Sequence, residues 1–542
     1  MDLKPIIDKY IRSELALKNF LEEVNKVDPE FLDMCRELIL RKQFETLDPL
    51  EVENPPYFHY DRKYYDFGKE RFYNFGVITL AGGSATRFFS EIKTDLKSKA
   101  LFPFTENSNF LELFAGEILA SAISSGYIVP WLIMVSDNTA DEILNYVGKQ
   151  PFGFPKEFIF VVKQGVVPRF DDEGFPVVSK DGFFSWTGNG HGGVFFLLKE
   201  DITKTLLNHS AQEKNMKELL NKMGIHNIVL HNVDNVFARP TDFVRLGFHL
   251  ENNSLFTLSA VERYDVDEKI GLIAYIPKRA RYCVLEYSFA DPQIFSRMKN
   301  GTPYYNIGHI NTNIFSLDII DDKYLKKLKP VLYFGKTVKI DEQTVKTNTV
   351  EFLNQMIVNE LPSDKVKVIL LQRDEFFLPT KTISGRDSLE TSREKYFSYI
   401  RSKMKSLGVN IPSDSNFELA PYFVFGDFEI FDTTDWVIES GTDFYFGIPF
   451  SSDGYCISSG FKLIGGAKFN ISSSKPFGNI VLDNRKIKGF QDFPRVKIGK
   501  NVCVKGKVKI TLEEGSELHI RDGVEINKDL VINLRKSEKF IL

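Results

Sequence analysis

A short apolar run, Phe75-Gly76-Val77-Ile78-Thr79-Leu80, passes directly into Ala81-Gly82-Gly83-Ser84-Ala85-Thr86-Arg87, and no other stretch constrains the fold as much. A run of that length ending at glycine reads as a buried strand. Two glycines at its end let bare backbone amides approach a bulky anion, while Thr86 and Arg87 add a hydroxyl and a permanently charged donor fork. Further on, Lys99 in Lys97-Ser98-Lys99-Ala100 completes a set suited to a triphosphate that loses pyrophosphate. Taken alone, the stretch is equally a glycine-rich turn with two solvated cations.

From about residue 73 the grammar is apolar runs alternating with helical stretches. Trp131–Val135, Phe158–Val162 and Asn227–Leu230 read as strands, and 110–124 reads as a helix. This alternation predicts an α/β fold with a mixed, mostly parallel sheet flanked by helices and a ligand at the carboxyl ends of its strands. Residues 5 to about 48 read as helices, with Ile6, Ile7, Tyr10, Ile11 and Leu15 and then Phe31, Leu32, Cys35, Leu38 and Leu40 at helical spacing. No chemistry is legible there. At the far end Val496, Val502 and Val508, and likewise Ile498, Val504 and Ile510, recur every six residues; the pattern resumes after Glu513-Glu514-Gly515 with Leu518, Val524, Leu530 and Ile520, Ile526, Ile532. Such a period marks a small parallel β-helix.

A chain of 542 residues exceeds one core, so several domains are expected. A net charge of -4, from 69 basic and 73 acidic residues, leaves no electrostatic footprint for nucleic acid. Cys35, Cys283, Cys456 and Cys503 lie far apart, which argues against a zinc site or disulfide framework and suits a reducing cytoplasm. No apolar run reaches the roughly 20 residues that span a bilayer, so no membrane partner is expected.

Three further stretches carry candidate chemistry. Gly188-Asn189-Gly190-His191-Gly192-Gly193 contains a literal G-x-G-x-x-G, readable as a dinucleotide fingerprint, as a plain flexible loop, or as amides and His191 approaching a base or phosphate. Asp234, just after Ile228-Val229-Leu230, is placed to hold magnesium or to make an Asx turn. Lys381, after the proline-stiffened Leu378-Pro379, is either a phosphate-directed charge or a surface lysine.

Together these pieces resemble the eukaryotic-type UDP-sugar pyrophosphorylases, the family of the UDP-glucose and UDP-N-acetylglucosamine enzymes. Leu80 to Arg87 is similar to the family's glycine loop and Lys99 to its PK lysine. Lys163-Gln164-Gly165 and Gly190-His191-Gly192-Gly193 resemble its uridine elements, and Val233-Asp234-Asn235 its metal segment. Gly271, Leu285-Glu286-Tyr287, Asn311-Thr312-Asn313 and Leu378-Pro379-Thr380-Lys381-Thr382 resemble its sugar-side motifs. Ala85 and Ser98 depart from the family's glycine and proline. Gly193 and Arg87 fit the acetylhexosamine branch, whereas Asn311 to Asn313 and Leu378 to Thr382 fit the glucose branch.

The resemblance implies domains over 1–72 (helical), 73–470 (catalytic, with 383–470 an insertion or sugar-side extension) and 471–542 (left-handed β-helix, a surface for homo-oligomers). It implies UTP and a sugar 1-phosphate as substrates, UDP-sugar and pyrophosphate as products, and Mg2+ as cofactor, with glucose 1-phosphate first and N-acetylglucosamine 1-phosphate the alternative. Implied roles are catalytic for Arg87, Lys99 and Lys381 and metal-binding for Asp234. Ala81, Gly82, Gly83, Gln164, His191 and Gly192 would bind the nucleotide, and Gly271, Glu286 and Asn313 the sugar. Two rivals are a non-catalytic UDP-sugar-binding protein and an NAD-dependent oxidoreductase built on Gly188 to Gly193.

Overall fold

Phe75–Leu80 is a strand (β1) buried at every position, in a computed structural model that describes residues 3–41, 51–83, 85–149, 153–208, 212–287, 291–426 and 430–542. It runs parallel to Trp131–Val135 (β2), which in turn runs parallel to Ile159–Lys163 (β3). On its other side it runs parallel to Asn227–Asn232 (β4). Leu80 stands beside both Met134 and Asn232, and Val135 beside Lys163. The four strands therefore run out at one edge, and the segments that follow them leave from a common rim.

The sheet continues beyond β4 in the opposite sense. Phe256–Glu262 (β5), Gly271–Ile276 (β6), Arg281–Leu285 (β7), Ile307–His309 (β8) and Thr312–Ser316 (β9) extend it in the order β7-β6-β8-β5-β9-β4 through antiparallel ladders. Short links such as Pro277 to Ala280 cannot make a parallel crossover, so this half folds back on itself. Parallel pairing returns where Val366–Leu370 (β10) lies along β5. The sheet is thus mixed, with its parallel ladders under the glycine loop.

The N-terminal helices are Lys4–Tyr10 (α1), Glu14–Val24 (α2) and Pro29–Arg41 (α3); the helical reading from 42 to 48 falls outside the described residues. They pack on an excursion from the sheet. Ile6 and Phe20 meet Phe175, Val178 and Phe184, and Leu32, Cys35 and Ile39 meet Val167 and Phe170. Phe110–Ser125 (α4) begins with a capping box between Asn109 and Glu112 and ends at Gly126, whose φ of 79° suits glycine. No helix among the described residues is long and apolar enough to cross a membrane.

The C-terminal region forms three parallel sheets. Val496 pairs with Leu518, Val504 with Ile526 and Ile510 with Ile532, a constant offset of 22 positions, so the six-residue repeat stacks its own aliphatics. These sheets begin earlier than 471. Asn416–Leu419, Asp443–Phe446 and Lys468–Ser472 pair in parallel with one another and then with Lys507–Leu512. The earlier part of the repeat was hidden because its stack is aromatic: Phe417 lies 4.4 Å from Phe444, and Phe444 5.8 Å from Phe469. A hairpin, Asn479–Asp483 and Lys486–Gln491, then interrupts the period. That hairpin reaches back to the main sheet, where Arg485 Nη1 donates to the Tyr73 carbonyl at 2.7 Å.

Glu418 is 1% exposed at the seam between these sheets and α4's leading loop. It accepts hydrogen bonds from Thr105 and Asn107, and burial still pushes its carboxyl up to about 7. Between pH 4.5 and 7 the folded chain therefore holds a proton that the unfolded chain has released, so stability falls as pH rises and the loss is complete above 7. Glu418→Gln should abolish this dependence. Its melting temperature should gain on wild type between pH 5 and 8, by the equivalent of about 3 kcal/mol at most. Parallel thermal-denaturation curves for the two proteins across that range would refute the assignment.

Candidate functional site

The common rim opens on a cleft of about 1020 Å³. Of the residues singled out by sequence, Ala81, Gly82, Gly83, Lys99, Gln164, His191 and Asp234 line it; Arg169, Trp186, Lys336 and Glu351 line it too, without having been foreseen. Ala81 is fastened to β2 by its N–H, which donates to the Met134 carbonyl at 2.8 Å. A Cβ on Gly82 would stand 3.1 Å from Gln164 Oε1, whereas one on Gly83 would meet nothing within 4 Å, so the loop is tight against the sheet and open toward the cleft. Ala85 sits at φ 45°, ψ 34°, a left-handed conformation that costs a non-glycine residue about 1–2 kcal/mol. That strain accounts for the glycine expected there. Arg87 is exposed on the short helix Thr86–Phe89 and does not line the cleft.

Lys99 is 8% exposed. Its Nζ donates to the Thr380 carbonyl at 2.6 Å and lies 3.5 Å from Asp234 Oδ2. Burial pushes its pKa below the usual lysine range; Asp234 opposes this, and Lys381 and Arg87 add to it as like charges. Four cationic or anionic side chains from three distant segments therefore sense one another here. The clamp that brings them together is Asn235, whose Nδ2 donates to the Phe376 carbonyl at 3.0 Å while its Oδ1 accepts the Leu378 N–H at 2.8 Å. The Thr380 N–H donates to the Asp234 carbonyl at 2.9 Å. Lys381, half-buried, is paired 3.6 Å from Asp387 and lies off the cleft lining.

The second glycine cluster works by close packing. A Cβ on Gly190 or Gly192 would run into the backbone of residues 351–354, and one on Gly193 into Asn189. These glycines are spent on protein contacts, and the cluster follows a three-residue strand, Trp186–Gly188, in an antiparallel pair. Neither feature suits a dinucleotide fingerprint, so the oxidoreductase reading loses its structural basis. The Gly192 N–H expected to face the base donates instead to the Phe352 carbonyl at 2.8 Å.

His191 does face the cleft. Its Nδ1 accepts from the Asn354 backbone N–H at 3.2 Å and from Asn354 Nδ2 at 2.7 Å, which leaves the ring proton on Nε2. Burial, with His309 nearby, pushes its pKa down to about 4, so the ring is neutral. Asn354 Nδ2 also donates to Asn311 Oδ1 at 2.8 Å, and Asn354 Oδ1 accepts from Asn313 Nδ2 at 2.8 Å. Asn313 Oδ1 is 3.0 Å from His309 Nε2. Asn313 is fully buried and engaged at both ends of its amide, so it is a strut of this network and presents no free group to a sugar.

Glu286 lies beside Gly271, where a Cβ would stand 3.1 Å from Glu286 Oε1. That oxygen accepts from Gln355 Nε2 at 2.6 Å, and burial pushes the carboxyl upward against this bond. Gly271 and Glu286 thus adjoin the network that contains Asn313, and none of the three is part of the cleft lining. Asn354 and Gln355 escaped sequence reasoning although a signal was present: two amides inside the otherwise apolar stretch from Phe352 to Val358 must find buried partners.

Residues 30–405 match the family described as UTP--glucose-1-phosphate uridylyltransferase. The chain is 27% identical over 364 residues to a probable UDP-N-acetylglucosamine pyrophosphorylase of Dictyostelium discoideum, covering 63% of this chain and 72% of that one. It is 27% identical over 353 residues to the UDP-N-acetylglucosamine pyrophosphorylase of Saccharomyces cerevisiae, covering 61% and 70%. A 30% match to a probable enzyme of the same name in Schizosaccharomyces pombe spans only 43% of that protein. Among solved structures, the UDP-N-acetylglucosamine pyrophosphorylase of Trypanosoma brucei superposes with a TM-score of 0.61 at 19% identity over 76% of this chain and 88% of that one. The UDP-glucose phosphorylase of the same organism superposes at 0.55 and 17% identity over 96% and 100%. At these identities the structures establish a shared fold.

Replacing Asn354 by Asp puts a carboxylate against His191 Nδ1, which favours the protonated ring. In Asn354→Asp the His191 ring resonance should titrate about 1–3 pH units higher than in wild type, with His191→Gln identifying the signal by NMR. An unmoved midpoint would show that Asn354 does not control the ring.

Proposed function

The chain belongs to the UTP–glucose-1-phosphate uridylyltransferase family, and on that footing we propose that it joins UTP to a sugar 1-phosphate, giving a UDP-sugar and pyrophosphate. The observation that carries this reading is the meeting of Lys99, Asp234 and the Thr380-Lys381 segment at the rim of the cleft beside the glycine loop. A phosphate oxygen of the sugar 1-phosphate attacks the α-phosphorus of UTP; the bond to the bridging oxygen breaks and pyrophosphate leaves. No protein nucleophile is required, so the chain's work is positioning and charge neutralisation.

The backbone at Gly82 and Gly83 gives the triphosphate room to lie against the loop. Lys99, with its ammonium already aimed by the Thr380 carbonyl, offsets charge on the departing pyrophosphate, and Arg87 reinforces it from the rim. Lys381 exchanges Asp387 for the sugar phosphate. Gln164 and the Nε2–H of neutral His191 read the base, and the sugar extends past the cleft lining toward Glu286 and Gly271. Asp234 offers a single partly exposed carboxylate, which fits a Mg2+ ion held mainly by phosphate oxygens. That ion would supply further neutralisation of the phosphates.

N-acetylglucosamine 1-phosphate ranks first as substrate and glucose 1-phosphate second, the reverse of the order drawn from the motifs. The curated relatives carry the acetylated sugar in their names, and Asn313, one of the residues that favoured glucose, is used up in the buried network. We read the C-terminal parallel sheets as coils of a left-handed β-helix with a role in self-association, and the protein as cytoplasmic.

Pyrophosphate release from UTP and Mg2+ with a panel of sugar 1-phosphates tests the reading. Release should occur with N-acetylglucosamine 1-phosphate and be lost with ATP or GTP in place of UTP. Nucleotide-sugar binding without release from any sugar would favour a binding protein. Lys99→Ala should lower turnover by about 10²–10³-fold and Arg87→Ala by less, both with wild-type melting temperatures; undiminished turnover in Lys99→Ala would overturn its role.

A further inference from the structure

Trp186 lies half-buried on the cleft wall next to Thr187 and Gly188. Gly188 abuts the Gln164 amide, where a Cβ would collide. Residues two apart on a strand share a face, so the indole is presented on the same side as Gln164. Its polar end points elsewhere. Trp186 Nε1–H donates to Glu23 Oε2 at 2.6 Å, and the same oxygen accepts the Phe184 N–H at 3.2 Å. The other oxygen of Glu23 pairs with Lys26. Glu23 is 3% exposed and belongs to α2, which lies before residue 30, where the family match begins. With its N–H anchored behind the wall, the ring offers the cleft an apolar face.

We propose that Trp186 is the wall against which the nucleoside of the bound nucleotide packs, and that Glu23 is its positioning residue. The N-terminal helices are then part of the nucleotide site. This inference rests on the uridylyltransferase reading for the identity of the nucleotide.

Fluorescence provides the test, because Trp131 and Trp436 are buried, 0% and 8% exposed, and line no part of the cleft. Titrating the full-length protein with UTP, without sugar phosphate, should change its tryptophan emission saturably, and Trp186→Phe should lose that change. Glu23→Ala should raise the KM for UTP about tenfold, the share of the indole's hydrogen bond to a charged acceptor, with kcat within about twofold; Glu23→Gln, still able to accept, should recover most of it. Asn19→Ala removes a different tie of α2, from Asn19 Nδ2 to the Asp181 carbonyl at 2.8 Å, and should leave KM unchanged. An emission change that survives in Trp186→Phe, or none in wild type, overturns the proposal. So does an equal rise in KM for Asn19→Ala, which would mark general loosening. Emission that responds to UTP in a protein that releases no pyrophosphate would instead sink the catalytic reading and leave this one standing.

Discussion

Everything at the cleft depends on the register of β1 to β4. Parallel strands that end level with one another must release their following loops on the same side, and here the pairing of Leu80 with Met134 and Asn232 sets that level. The glycine loop, Gln164 and Asp234 are separated by long stretches of chain, yet they are neighbours because each is the first residue or two beyond a strand end. A shift of one residue in β4 would turn Asp234 away and exchange the strand's two buried faces, with Val229 on one and Ile228 and Leu230 on the other. The hydrophobic cost of such a slip protects the geometry of the polar residues.

A second layer of order is polar. The amides of Asn311, Asn313 and Asn354 satisfy one another and two histidines, and they tie His191 at the cleft to His309 on β8. In a low-dielectric interior such a chain of hydrogen bonds is stiff when every member is paired and costly when one is not.

The sequence made the parallel strands legible, because their apolar runs are continuous, and it made much of the rim legible, because the Gly82-Gly83 pair, Gln164 and Asp234 follow those runs directly. It concealed what depends on tertiary partners. Asn313 looks like a ligand residue until its amide is seen to be fully engaged, and Gly192 looks like a free donor until Phe352 is seen to take its N–H. The start of the C-terminal sheets escaped because phenylalanine stacking does not follow the aliphatic six-residue pattern. Trp186 carried no signal at all, since only the fold sets it beside Gln164.

The bond between Lys99 and the Thr380 carbonyl has a consequence for how the protein comes into being. It joins positions 281 residues apart, so the cleft is a contact of very high sequence separation. The first strands and the glycine loop emerge from the ribosome and can pair long before residue 380 is synthesised. Until then the lysine has no acceptor from that segment, and this end of the cleft is unfinished. The nascent chain therefore lacks a finished cleft until most of its length exists, and a fragment that stops short of the Leu378 to Lys381 segment would be missing one wall of the contact that Lys99 makes.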